Sequence, residues 1–119
     1  MLEKFERDMA AAAGWLLALS LVHEAKEPLH GYHIAKTLAA SAPAGMAPKA
    51  GTLYPMLRNL LAHGVLASSL EESPDGPPRR CFTLTPKGRD LLVHGREMWR
   101  QARAWVDGIV GGIEDDPDS

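Results

Sequence analysis

From Glu3 to Glu24 apolar residues recur every three or four positions, with Phe5, Met9, Ala12, Leu16 and Leu19 on one stripe of a proline-free, Ala- and Leu-rich stretch; this predicts a long helix. Trp15, Leu17, Leu21 and Val22 fall off the stripe, so the helix is apolar on more than one side and is expected to touch more than its own core. Pro28 interrupts it. A shorter helix is expected from about His30 to Ala40 on Ile34, Ala35 and Leu38, with Pro43 and Gly45 marking the exit. A third is expected from about Lys49 to His63, where Leu53, Leu57, Leu60 and Leu61 keep helical spacing and Gly64 is placed for a left-handed cap. Pro55 falls in its first two turns, where a missing N–H costs less than in mid-helix.

The period then changes from helical to alternating. Leu66, Ser68 and Leu70 alternate with Ala67 and Ser69, and Arg80, Phe82 and Leu84 alternate with Arg79, Cys81 and Thr83. The intervening Ser73-Pro74-Asp75-Gly76-Pro77-Pro78 is turn chemistry, which predicts a hairpin that must lean on the helices because an isolated one is marginal. Thr85 and Pro86 read as an N-cap followed by proline at the first helical position, opening a last helix to about Val110. Leu91, Gly95, Met98, Ala102, Trp105 and Ile109 form one row along it, and Leu92, Trp99 and Val106 a second. At 1.5 Å per residue it would be ~36 Å long, more than a domain this small can cover alone, so its apolar excess calls for another chain. The expected fold is mainly α with a small β-hairpin: a winged helix-turn-helix plus a long C-terminal dimerisation helix. Residues 1–85 form the first unit, 86–110 the dimerisation helix and 111–119 an acidic disordered tail.

Composition adds limits. The 119 residues amount to one domain, and 45% hydrophobic residues suffice for a core. The longest nearly apolar run, Met9 to Val22, is 14 residues, short of the ~20 that span a bilayer, so no membrane partner is expected. A lone cysteine, Cys81, and the lack of a leader point to a reducing cytoplasm. The net charge of −2 hides an asymmetry: five of fifteen acids lie from Asp107 onward, so residues 1–106, with thirteen bases and ten acids, carry +3. No acid occurs from Pro28 to Leu70 or from Arg79 to Arg89. Enzyme and metal chemistry find little support. His30 and His33 lie on nearly one helical face, but Cys81 and scattered carboxylates give no four-ligand spacing, and no phosphate loop or nucleophile motif is present; no cofactor or metal is expected.

Four blocks then occur in order: Pro28-Leu29-His30-Gly31-Tyr32, Gly51-Thr52-Leu53-Tyr54-Pro55-Met56-Leu57, Gly64-Val65-Leu66, and Arg80-Cys81-Phe82-Thr83-Leu84-Thr85-Pro86-Lys87-Gly88-Arg89. Together they resemble the PadR family of bacterial transcriptional regulators, over about residues 16–90, and the single C-terminal helix is similar to the family's short branch. The resemblance implies a homodimeric winged-helix protein that binds double-stranded operator DNA, usually a repressor released by a small molecule or stress signal. One departure stands out. Leu61 occupies a place where family members commonly carry Glu, which removes an acid near the DNA side or enlarges an apolar face.

In a helix-turn-helix the third helix enters the major groove, and small residues at its start let the backbone approach. Gly51 and Thr52 fit that need, while Lys49, Tyr54 and Arg58 can donate to phosphates or bases, Arg58 by bracketing a guanine. His30, Tyr32 and Lys36 sit where a helix start favours a phosphate. Arg79 and Arg80 follow the Pro-Pro corner and suit phosphates or the minor groove, although alternation leaves only one facing DNA. Trp15, Leu91, Met98, Trp99, Ala102, Trp105, Val106 and Ile109 are assigned to the dimer, and Trp99, flanked by Trp15 and Met98, to a flat apolar effector whose binding the resemblance suggests. The alternative is a winged-helix protein-interaction module without DNA binding.

Overall fold

The computed structural model describes residues 1–43 and 45–114, with side chains as far as residue 111. The opening Ala- and Leu-rich segment forms α1 (Leu2–Glu24), a two-residue strand β1 (Leu29–His30) follows, and then come α2 (Gly31–Ser41) and α3 (Ala50–Ala62). A hairpin of β2 (Leu66–Ser73) and β3 (Gly76–Leu84), the wing, leads into α4 (Pro86–Glu114). The three strands make one antiparallel sheet in the order β1-β3-β2.

Each helix delivers apolar residues to one core. Leu19 of α1, Ile34 of α2, Leu53 and Leu57 of α3 and Leu92 of α4 are its largest fully buried side chains, and Val65 ahead of β2 closes it together with Leu66 and Phe82 of the sheet. The end of α3 behaves as its sequence suggests. Gly64 adopts φ +71, the Val65 amide donates to the Leu60 carbonyl and the Gly64 amide to that of Leu61, which is a Schellman cap. Thr85 caps α4, its Oγ1 accepting from the Gly88 amide at 3.0 Å. The same hydroxyl lies 2.6 Å from the Gly64 carbonyl and 2.9 Å from that of Val65, and Lys87 Nζ donates to the His63 carbonyl at 2.8 Å. Gly88 is required here, because a Cβ would stand 2.1 Å from the Val65 carbonyl oxygen.

Several boundaries differ from the pattern. In α1 the buried face is Gly14, Ala18, Leu19 and Val22, whereas Phe5 and Ala12 are exposed. An alanine-rich helix with apolar residues on several sides has no unique inward stripe, and docking selects the face whose small residues allow close approach. Strand β1 is too short to show any period; it exists because Leu29 and His30 pair with Phe82 and Cys81. The wing is longer than expected, leaving only Pro74 and Asp75 at its tip. Pro77 and Pro78 lie inside β3, where the ladder steps from Ser73↔Gly76 to Glu71↔Arg79 through an irregularity that spares residues unable to donate an N–H. Helix α4 continues to Glu114 rather than ending at Val110, and the rest of the expected acidic tail, 115–119, lies outside the described residues. No helix among the described residues is long and apolar enough to cross a membrane.

Candidate nucleic-acid interface

Helix α3 turns its polar start outward because its leucines are consumed by the core. Lys49 is its N-cap, and the Lys49 carbonyl accepts from the Thr52 and Leu53 amides. Leu53, Leu57 and Leu60 point inward, which leaves Lys49, Gly51, Thr52, Tyr54, Arg58 and Asn59 exposed. A Cβ added at Gly51 would meet nothing within 4 Å, so the fold itself does not require glycine there.

Tyr54 reaches across to α2, where its ring lies so close over Gly31 that a Cβ would come within 2.7 Å of it. Those two residues, with Leu57, Arg58, Leu61, Arg80 and Phe82, line a cleft of about 460 Å³ between α3 and the wing. An adjoining cleft of about 420 Å³ is lined by His30, Gly31, Tyr32, Arg79 and Arg80. Gly31 and Arg80 belong to both, so a single groove carries three arginines and no acid. Arg80 is braced by a 2.8 Å hydrogen bond from Nη1 to Ser68 Oγ. Leu61, which stands where the PadR resemblance leads one to expect Glu, packs on the core and lines the groove, so the substitution both extends an apolar face and keeps an acid away from Arg58 and Arg80. Of the residues assigned from sequence, His30, Tyr32, Tyr54, Arg58, Arg79 and Arg80 meet here. Lys36, Lys49, Gly51 and Thr52 are exposed on α2 and at the α3 start, outside these clefts. Gly31, Leu61 and Phe82 complete the lining, and Ser68 braces Arg80; sequence places the first three in or beside the PadR-like blocks but assigns none of the four to the interface, since only tertiary contact assembles them.

His30 is the hub of the second cleft. It is the N-cap of α2, its Nδ1 accepting from the His33 amide at 3.2 Å, while its Nε2 lies 3.3 Å from Arg79 Nη1. Its ring is parallel to that of Tyr32, with centroids 6.1 Å apart. Burial, then the Arg79 charge, then His33 hold its pKa below the ordinary 6.5. Arg79 stands directly across the hairpin from Glu71, on the face away from Arg80, and there Glu27, Glu71, Glu72 and Cys81 line a further cleft with the same His30 and Arg79. Cys81 is buried, and its surroundings push its thiol pKa up, chiefly through burial and secondly through Glu71, the reverse of what a reactive thiolate needs.

Helix α4 distributes its apolar residues unevenly. Gly95 is buried, and a Cβ there would meet the Trp15 ring at 2.7 Å, so Trp15 packs within its own chain. Leu91 is at the exposed margin, and farther out Met98, Trp99, Ala102, Trp105, Val106 and Ile109 are all exposed, Met98 at 69% and Trp105 at 70%. Trp99 forms one wall of an apolar cavity of about 300 Å³ shared with Met9, Ala13 and Leu17 of α1 and with Met46 and Pro48 of the α2–α3 connector. Trp15 and Met98 do not line that cavity, so Trp99's expected neighbours are replaced by the connector. Among the described residues no group of three or more His, Cys, Asp or Glu side chains is arranged to hold a metal.

Comparison with known proteins adds ancestry to this geometry. Residues 18–104 match the family model described as the transcriptional regulator PadR-like family. Over 76 residues the chain is 37% identical to the transcriptional regulator Rv3488 of Mycobacterium tuberculosis, covering 64% of this chain and 67% of that one. The crystal structure of smu.1704 from Streptococcus mutans is similar with a TM-score of 0.74 and 32% identity, over 87% of this chain and 92% of that one. A PadR-like transcription factor from Bacteroides fragilis is similar at 0.67 and 29%, over 89% and 98%. With a winged helix-turn-helix body, a recognition-type α3 with its polar start exposed, and a family match over most of its length, the chain belongs to the PadR-like family of transcriptional regulators.

Proposed function

We propose that this regulator binds duplex DNA as a two-fold homodimer, with α3 in the major groove and the wing along the backbone, and that it represses transcription until a flat apolar small molecule releases it. The observation that carries DNA binding is the acid-free groove that brings Arg58, Arg79 and Arg80 together with Tyr32, Tyr54 and His30 beside the exposed start of α3. The bare Gly51 supports the same reading, since it leaves the helix backbone open to a partner from outside the chain. Lys36, Lys49 and Thr52 would extend the contact along phosphates. In a two-fold dimer joined through α4 the recognition helices would lie about 34 Å apart, so the operator would be palindromic. The apolar cavity against Trp99 suits an aromatic effector in size and lining. The reading places the protein with DNA in the cytoplasm.

Sequencing genomic fragments retained by the purified protein, with mobility shifts across a salt series, tests this function. A palindromic motif whose affinity falls steeply with salt is expected, because each neutralised phosphate releases counterions. No preference for any fragment over random DNA would overturn it in favour of a protein-interaction module. Quenching of tryptophan fluorescence by planar aromatics, lost in Trp99→Ala, tests the effector site; quenching that survives in the folded variant removes it.

A further inference from the structure

His30 is engaged by two donors at once. The His33 amide points at Nδ1 from 3.2 Å and the Arg79 guanidinium faces Nε2 from 3.3 Å. Both are obligate donors: an amide N–H cannot accept, and arginine stays protonated throughout the physiological range. A neutral imidazole has one acceptor nitrogen, the other carrying the proton. The two hydrogen bonds therefore exclude each other at any instant.

We propose that His30 is a positioning residue that selects between two arrangements of this groove. With its proton on Nε2 it caps α2 and lets Arg79 go; with its proton on Nδ1 it holds Arg79 and leaves the His33 amide uncapped. In the capped arrangement Nε2–H and the freed guanidinium are two donors side by side on the cleft shared with Tyr32 and Arg80. One phosphate oxygen can accept from both, so a DNA backbone selects the capped arrangement and tightens the α2 start as it binds. That last step rests on the DNA-binding reading above. Protonation gives an imidazolium with no acceptor, which loses both bonds. The titratable and charged groups around it are Glu24 at the end of α1, Lys26 and Glu27 before β1, Tyr32 and His33 on α2, Glu71 and Glu72 on β2, and Arg79, Arg80 and Cys81 on β3. Burial and the Arg79 charge favour the neutral ring, the form in which the selection operates.

The test uses the full chain labelled with ¹⁵N and long-range proton–nitrogen spectra, which report the proton's place on each imidazole, with the His30 signals assigned by their loss in His30→Asn. Wild-type His30 is expected between the two tautomer limits. Arg79→Ala, a change on the exposed wing, should move it to the Nε2–H limit and slow exchange of the His33 amide. His30→Asn, whose side-chain oxygen can cap permanently, should slow the same amide. A random-sequence duplex at low salt should shift wild-type His30 in the direction that Arg79→Ala does. A wild-type ring already in one tautomer and unmoved by Arg79→Ala would overturn the proposal. If Arg79→Ala acts as expected and a mobility shift shows the duplex bound while His30 does not move, selection by DNA is overturned; if the duplex does not bind at all, the DNA-binding reading falls and the tautomer selection stands.

Discussion

Helices α3 and α4 carry apolar residues at similar spacing, and the two meet opposite fates. In α3, Leu53, Leu57 and Leu60 all reach the core within 13 residues, and no large aliphatic side chain is left exposed among Thr52, Tyr54, Arg58 and Asn59. In α4, of 29 residues and ~43 Å at 1.5 Å per residue, Leu92 and Gly95 are buried, whereas Trp105, Val106 and Ile109 stand exposed beyond the reach of the body. A period states that one face is apolar; it does not state which molecule covers it. For α3 the cover is α1, α2 and the sheet, and the uncovered face becomes the candidate interface. For outer α4 the cover would be a second copy.

The comparison breaks first on stability. Leu57→Ala should cost about 2–5 kcal/mol in chemical denaturation, as expected for a truncated core leucine. Ile109→Ala should exceed the ~0.5 kcal/mol of an ordinary surface position if a second copy covers outer α4 as proposed, and stay within it if outer α4 is bare. A cost for Ile109→Ala that rises toward that of Leu57→Ala would mean that α4 is covered in solution. Sedimentation sharpens this point: the wild type should run as a dimer at micromolar concentration, and Met98→Glu combined with Val106→Glu as a folded monomer or an unfolded chain. A wild-type monomer would contradict the proposed assembly.

The polar face of α3 is tested by Arg58→Ala, expected to weaken operator binding by about 1–3 kcal/mol if the guanidinium reads a base. A uniform loss across sequences, with a salt slope smaller by about 1, would assign it to a phosphate instead. Thr85→Ala, at the joint where the two helices meet, should cost about 1 kcal/mol through the lost cap. The smallest effect is that of pH. Because the folded protein holds the His30 pKa below 6.5, the unfolded chain binds more protons in that window. The contribution is full above about pH 6.5 and is lost as pH falls through the depressed folded value. The urea midpoint of the wild type should therefore fall relative to that of His30→Asn on acidification, and a constant difference would contradict it.

Much of the architecture was legible in order along the chain. Helical period, the Thr85-Pro86 start, Gly64 at the α3 exit and the switch to alternation are each local properties, and local backbone preference enforces them. Those residues fix where helices begin, which faces of α2 and α3 turn inward and that a hairpin follows. The basic residues of the groove were legible for the same reason, since acid-free segments show directly in the sequence. Only the tertiary structure decided the inward face of α1, the pairing of Leu29 and His30 with β3, the cavity beside Trp99 and the placing of two donors on one imidazole. Each depends on elements far apart in sequence meeting at distances of a few ångströms. Spacing within one segment carries no information about such meetings.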